Sequence, residues 1–134
     1  MSLFNIHTPY IAITAFYALN LTEYSMHPHR HPRCEIMYVT KGSCLIYADD
    51  QEFCLKEQQF IFLNADVLHQ LSIPKGRPCS ILNLEFSCLR SKTDICLSEL
   101  SANSPSFARF CTLPGTYLIG SDAGHLGYSL KDLI

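Results

Sequence analysis

Met26-His27-Pro28-His29-Arg30-His31-Pro32-Arg33-Cys34-Glu35 places three of the chain's six histidines within five residues, directly ahead of the apolar run Ile36-Met37-Tyr38-Val39. In extended backbone successive side chains alternate between faces, so His29, His31 and Glu35 share parity and can converge on one side of a sheet. His69, after the apolar run Phe60-Ile61-Phe62-Leu63, is a fourth candidate and completes a three-nitrogen, one-oxygen set of the kind that Zn, Fe, Mn, Ni or Cu accept. His27 has the same parity, but four ligands are available without it, so it is expected to face solvent at the start of the run. Arg30 has the opposite parity and is expected to face outward. Arg33 has the inward parity, so it either clamps an anionic group of an effector or, because Pro28 and Pro32 disturb alternation, lies on the surface.

Outward from this stretch the chain reads as short strands separated by turn chemistry. Ile11 to Tyr17 is rich in β-branched and aromatic residues. Glu35 to Thr40 follows, with Met37 and Val39 on the Glu35 face and Ile36 and Tyr38 opposite; two apolar faces imply a closed or two-layered sheet. Lys41-Gly42 turns the chain into a hairpin of Cys44 to Ala48 and Glu52 to Leu55, joined through Asp49-Asp50. Phe60 to Leu63 is stopped by Asn64-Ala65-Asp66, and His69 to Ile73 is ended by Pro74-Lys75-Gly76-Arg77-Pro78. Cys79 to Phe86 sets Ile81, Asn83 and Glu85 on one face and Leu82, Leu84 and Phe86 on the other. Beyond it, Asp94 to Leu100 reads as a short helix, Ser104-Pro105 as the start of another, and Tyr117 to Ile119 as a strand. Asp122 is a candidate cap for a final helix carrying Leu126, Leu130, Leu133 and Ile134 on one stripe. That helix has no stop signal, so the reading expects it to continue past Ile134.

Composition bounds the rest. The chain has 134 residues, 48% of them hydrophobic and 16% charged, which suits one domain with a real core and a surface poor in charge, as an oligomer or a covered face would be. The net charge is -2 without a basic run, which disfavours nucleic-acid binding by this segment alone. Its apolar stretches are too short to cross a bilayer and lack the flanks of a signal peptide, so the expected location is cytoplasmic, with no membrane partner. Seven cysteines, an odd number with no CxxC pair, point to reduced thiols rather than a disulfide framework. There is no nucleophile elbow, phosphate loop or dinucleotide fingerprint.

The spacing His29-x-His31-x3-Glu35-x6-Gly42 resembles the first conserved motif of the cupin superfamily. The second motif of that superfamily is approximated by Asn64-x-Asp66-x2-His69, with Gln58 where its first glycine is usual. The histidine survives while the glycines and proline do not; Asn and Asp tolerate left-handed turn positions, so the turn itself can persist. The run from Cys34 to Gly42, the hairpin after it, and Phe60 to His69 are together similar to the N-terminal sensing domain of AraC-type bacterial transcription regulators, over about residues 24 to 86.

The resemblance implies a mainly β fold, a double-stranded β-helix (cupin, or jelly-roll, barrel) with a C-terminal helical segment. The expected layout is an N-terminal arm at 1–9, a barrel core at 10–90, and an extension at 91–134 leading to a dimerisation helix. It further implies a small-molecule effector, a sugar or other polar metabolite, inside the barrel; a homodimer; and DNA contact only through a C-terminal domain not in this chain. On this reading the chain is not an enzyme. His29, His31, Glu35 and His69 are then either a site for a divalent transition metal (Zn, Ni, Fe or Mn) or a polar patch that hydrogen-bonds the effector. Arg33, Met37, Val39 and Leu71 are the expected effector contacts. The alternative is a metal-dependent cupin enzyme, a dioxygenase or a sugar isomerase, in which open coordination positions activate oxygen or a substrate hydroxyl.

Overall fold

The structure, a computed structural model, describes residues 10–90, 92–93, 95–123 and 125–131. The expected arm at 1–9, Asp94, and the helix positions Leu133 and Ile134 lie outside the described residues. Among the described residues, ten strands and three helices follow in order: β1 (Tyr10–Leu21), β2 (Tyr24–Ser25), β3 (Cys34–Lys41), β4 (Ser43–Ala48), β5 (Gln51–Lys56), β6 (Gln59–Leu63), β7 (His69–Ile73), β8 (Cys79–Leu89), β9 (Ile95–Cys96), α1 (Leu97–Asn103), α2 (Pro105–Thr112), β10 (Tyr117–Ser121) and α3 (His125–Lys131). A six-stranded sheet, β10-β6-β3-β8-β1-β9, faces a four-stranded sheet, β2-β7-β4-β5. All their pairings are antiparallel. The fold is the mainly β cupin barrel with short C-terminal helices.

Alternation decides what each sheet face meets. Met37 and Val39 of β3, Ile46 of β4, Leu55 of β5, Ile61 and Leu63 of β6, Leu71 and Ile73 of β7 and Ile81 of β8 fill the space between the sheets. The opposite face of the large sheet is apolar as well, and helices cover it. Phe62 and Phe86 pack with Leu97 of α1 and with Phe107, Phe110 and Cys111 of α2, while Tyr38 and Leu82 pack with Leu126 and Leu130 of α3. This second layer explains why β3 and β8 are apolar on both sides.

Local chemistry sets the boundaries. Gly42, between β3 and β4, has φ +78°, and a Cβ there would run into the carbonyl oxygen of Pro78. Gln58 and Asp66, the two positions where the cupin pattern has glycine, adopt φ 65° and 64°, so the left-handed turns persist on non-glycine residues. Ser104 caps α2 by accepting from Phe107 N at 3.2 Å, with Pro105 in the first turn. Asp122 receives the N–H groups of Leu126 and Gly127 at 3.1 and 2.8 Å, as the capping expectation requires.

Two sequence expectations need correction. The helix expected from Asp94 begins only at Leu97, because Ile95 and Cys96 pair with Ile11 and Tyr10 at the sheet edge; a β-branched residue beside an open strand gains more from the ladder than from a helical turn. The first strand is also longer than Ile11 to Tyr17, running to Leu21, with a register shift between Ile13 and Ala15 where it bends along β8.

Candidate ligand and metal site in the barrel

The segment ahead of β3 is not a regular strand. It is tied to β7 by one isolated bridge, in which His29 N–H donates to His69 O at 3.0 Å and His69 N–H donates to His29 O at 2.9 Å. A second tie, Asp66 N–H to His31 O at 2.8 Å, holds the turn before β7 against the same segment. The prolines therefore break the strand, as expected from their chemistry, yet backbone bonds keep the histidines facing inward. His29, His31 and His69 have ring centroids 5.5, 4.3 and 5.1 Å apart, and their ligand nitrogens all lie within 4.8 Å of one another.

Each of the three rings is held in the same way. Nδ1 of His29 faces the carbonyl of His27 at 3.2 Å, Nδ1 of His31 that of Arg33 at 3.0 Å, and Nδ1 of His69 that of Val67 at 2.8 Å. A carbonyl oxygen only accepts, so every Nδ1 facing one carries a proton, and Nε2 is the nitrogen each ring offers to a ligand or metal. Backbone carbonyls orient metal-ligating histidines in just this manner. Glu35 Oε2 lies 3.3 Å from His31 Nε2 and 3.0 Å from His69 Nε2. His69 Nε2 is nevertheless a buried atom without a properly aligned hydrogen bond. A cation between the three imidazoles would satisfy that nitrogen, so His29, His31 and His69 fit a divalent metal, with the Glu35 carboxylate close to two of the three.

Electrostatics in the metal-free chain follow from the same contacts. Burial alone would raise the Glu35 carboxyl, but the adjoining His69 imidazole and its charge, the Asn83 amide and the His31 charge outweigh it and leave its pKa lowered. Burial alone would lower that of His69, but Glu35, the Val67 carbonyl and Glu85 leave it raised.

Of the four nominated ligands, His29, His31 and Glu35 line a cavity of about 310 Å³, a size at the lower end for small-molecule sites, whereas His69, 2% exposed, is not on its wall and reaches Glu35 at 3.0 Å. Arg33, Met37 and Leu71 also line it, whereas Val39 is fully buried in the core between the sheets and is not on the cavity wall. Arg33 reaches the cavity with Nε 3.1 Å from Glu85 Oε1 while its side chain stays 38% exposed, so it sits at the rim between the two expected placements. His27 and Arg30 are exposed, as expected.

Sequence reasoning did not nominate Glu85, Asn83 or Tyr17. Glu85 Oε1 is 3.5 Å from His31 Nε2, and His31, Glu35 and Glu85 form a second close cluster of donor groups. Asn83 Nδ2 donates to Tyr17 Oη at 2.7 Å. A signal was present: Asn83 and Glu85 are polar residues at inward positions of a strand whose other inward residues are apolar, and a buried polar group needs a partner.

Comparison with known proteins agrees with this architecture. The family described as AraC-like ligand binding domain, a cupin-type domain, matches residues 13–110. No curated protein matches the sequence significantly. Among solved structures, YhaK from Escherichia coli is similar at 8% identity, with a TM-score of 0.57, over 88% of this chain and 51% of that one. A predicted oxalate decarboxylase from Thermotoga maritima is similar at 17% identity, with a TM-score of 0.51, over 55% of this chain and 65% of that one. A putative mannose-6-phosphate isomerase from Ralstonia eutropha is similar at 12% identity, with a TM-score of 0.51, over 63% of this chain and 91% of that one. At these identities the likeness is one of fold.

Proposed function

The chain belongs to the AraC-like ligand binding domain family, and from that premise we propose that it is the effector-sensing and dimerising part of a transcription regulator whose DNA-binding part lies outside this chain. The observation that carries the reading is the cavity of about 310 Å³, whose wall combines inward-turned imidazoles and carboxylates with apolar side chains. Such a mixture orients a small polar molecule and removes its carbon skeleton from water. The effector we propose is a sugar or other polar metabolite. Sensing requires it to bind one conformation of the domain more tightly than another.

His29, His31, Glu35 and His69 are proposed as the ligands of a divalent transition metal, with Arg33, Met37 and Leu71 as effector contacts. A metal held there supplies open coordination positions for an effector oxygen. The protein's own groups do the rest: backbone carbonyls fix the imidazole tautomers, and Arg33 neutralises Glu85 at 3.1 Å.

The test is a metabolite screen on the zinc-loaded and the metal-free domain. The methyl resonances of Met26 and Met37, both on the cavity wall, are the readout, and oxygen-consumption and sugar-isomerase assays are run in parallel. Saturable shifts of these methyls without turnover are expected. Sustained turnover would instead make the domain a metal-dependent enzyme.

A further inference from the structure

Asn83 is 2% exposed and sits on the cavity wall, where its Oδ1 is a buried atom without a hydrogen-bond partner. The orientation of its amide is fixed by its neighbours. Nδ2 donates to Tyr17 Oη at 2.7 Å, on the same wall as the Glu35 carboxylate. Turning the amide over would set Oδ1 against that carboxylate, acceptor against acceptor. The unpaired Oδ1 is therefore a feature of the site, and leaving such an atom unsatisfied costs stability unless a ligand donates to it.

Tyr17 completes the pattern. Its oxygen accepts from Asn83, which leaves the phenolic proton to be donated into the cavity. Burial, and then the negative charges of Glu85 and Glu35, raise the pKa of Tyr17, so the phenol stays protonated and remains a donor. An acceptor and a donor thus stand side by side on one wall, with the acidic groups of Glu35 and Glu85 beyond them.

We propose that Asn83 and Tyr17 are specificity-determining residues that select an effector carrying an uncharged group able both to donate and to accept a hydrogen bond, a hydroxyl or a carboxamide. A carboxylate or phosphate has no proton for Asn83 Oδ1. This inference rests on the reading of the cavity as the effector site and goes further by naming the ligand chemistry.

The experiment uses the zinc-loaded protein with methyl-labelled methionine. Three compound sets are titrated: polyols and monosaccharides (xylitol, D-xylose, D-glucose), carboxamides (acetamide, lactamide) and anions (acetate, succinate, inorganic phosphate). We expect a hydroxyl or amide compound to shift Met26 and Met37 saturably, and whichever set binds identifies the group. Asn83→Leu and, as a milder change at a partly exposed position, Tyr17→Phe should each weaken that binding about tenfold or more while leaving the unliganded methyl spectrum folded. Binding by anions alone, or undiminished affinity in both folded variants, overturns the inference while the sensing role stands. No binding by any of the three sets removes the sensing role and the inference with it.

Discussion

At the scale of single residues, Gln58 and Asp66 occupy left-handed backbone, φ 65° and 64°, which non-glycine residues adopt at a cost of roughly 1–2 kcal/mol. Gln58→Gly should therefore stabilise the domain by up to about 1 kcal/mol after the entropy of a glycine is subtracted, seen as a melting temperature a few degrees higher. Gly42→Ala should do the reverse by about 2 kcal/mol or more, because φ is +78° and the new methyl meets a backbone carbonyl. The His69–Glu35 pair makes a pH prediction for chelator-treated protein. The raised pKa of His69 gives stability that is complete below its ordinary value of 6.5 and lost as pH rises through the folded value. The lowered pKa of Glu35 gives stability that is complete above its ordinary value of 4.5 and lost as pH falls through the folded value. The metal-free domain should melt highest between those two ordinary values and lose stability above neutrality, measured by calorimetry across pH; a melting temperature that climbs through neutrality contradicts the pairing. The closeness of His29, His31 and His69, with Glu35 beside two of them, was legible because histidine spacing survives even where the strand does not. Glu85 and Asn83 were not, because their role appears only when β8 is laid beside β3, with Glu85 opposite Glu35 and Asn83 opposite Met37.

Among the elements, α3 shows how a helix is seated by a few atoms. Asp122 accepts from Leu126 N, Gly127 N and the Tyr38 hydroxyl, the last at 2.6 Å, and a side chain at Gly127 would strike that same hydroxyl. Asp122→Ala should cost about 1–3 kcal/mol through loss of the helix cap and of the buried partner of Tyr38. Burial, then the Asp122 hydrogen bond and charge, push the Tyr38 pKa up to about 12. An ultraviolet titration of the variant should therefore show a tyrosine ionising closer to the ordinary 10.0; an unchanged titration would mean that Asp122 does not hold it. Alternation and turn residues made β3 to β8 readable, since each strand has an inward and an outward set. The short β9 was misread as helix because its conformation is imposed by the edge of β1, which is distant in sequence. Local pattern carries no record of such a partner.

For the whole molecule, the two sheets form a barrel whose proposed ligand side chains come from three separate places: the irregular segment before β3, β3 itself and the start of β7. No helix among the described residues is long and apolar enough to cross a membrane. A surface with only 16% charged residues in the chain accords with the proposed homodimer, and sedimentation analysis should find a dimer whose dissociation constant changes when the effector is added. The central claim is that three imidazoles and Glu35 converge as one binding centre inside the barrel. The most direct test is a crystal of the zinc-soaked protein with an anomalous difference map. The account predicts a single strong peak within the cavity, bounded by Nε2 of His29, His31 and His69 and by the Glu35 carboxylate. An empty cavity with zinc bound elsewhere, or histidines turned out toward solvent, would contradict it.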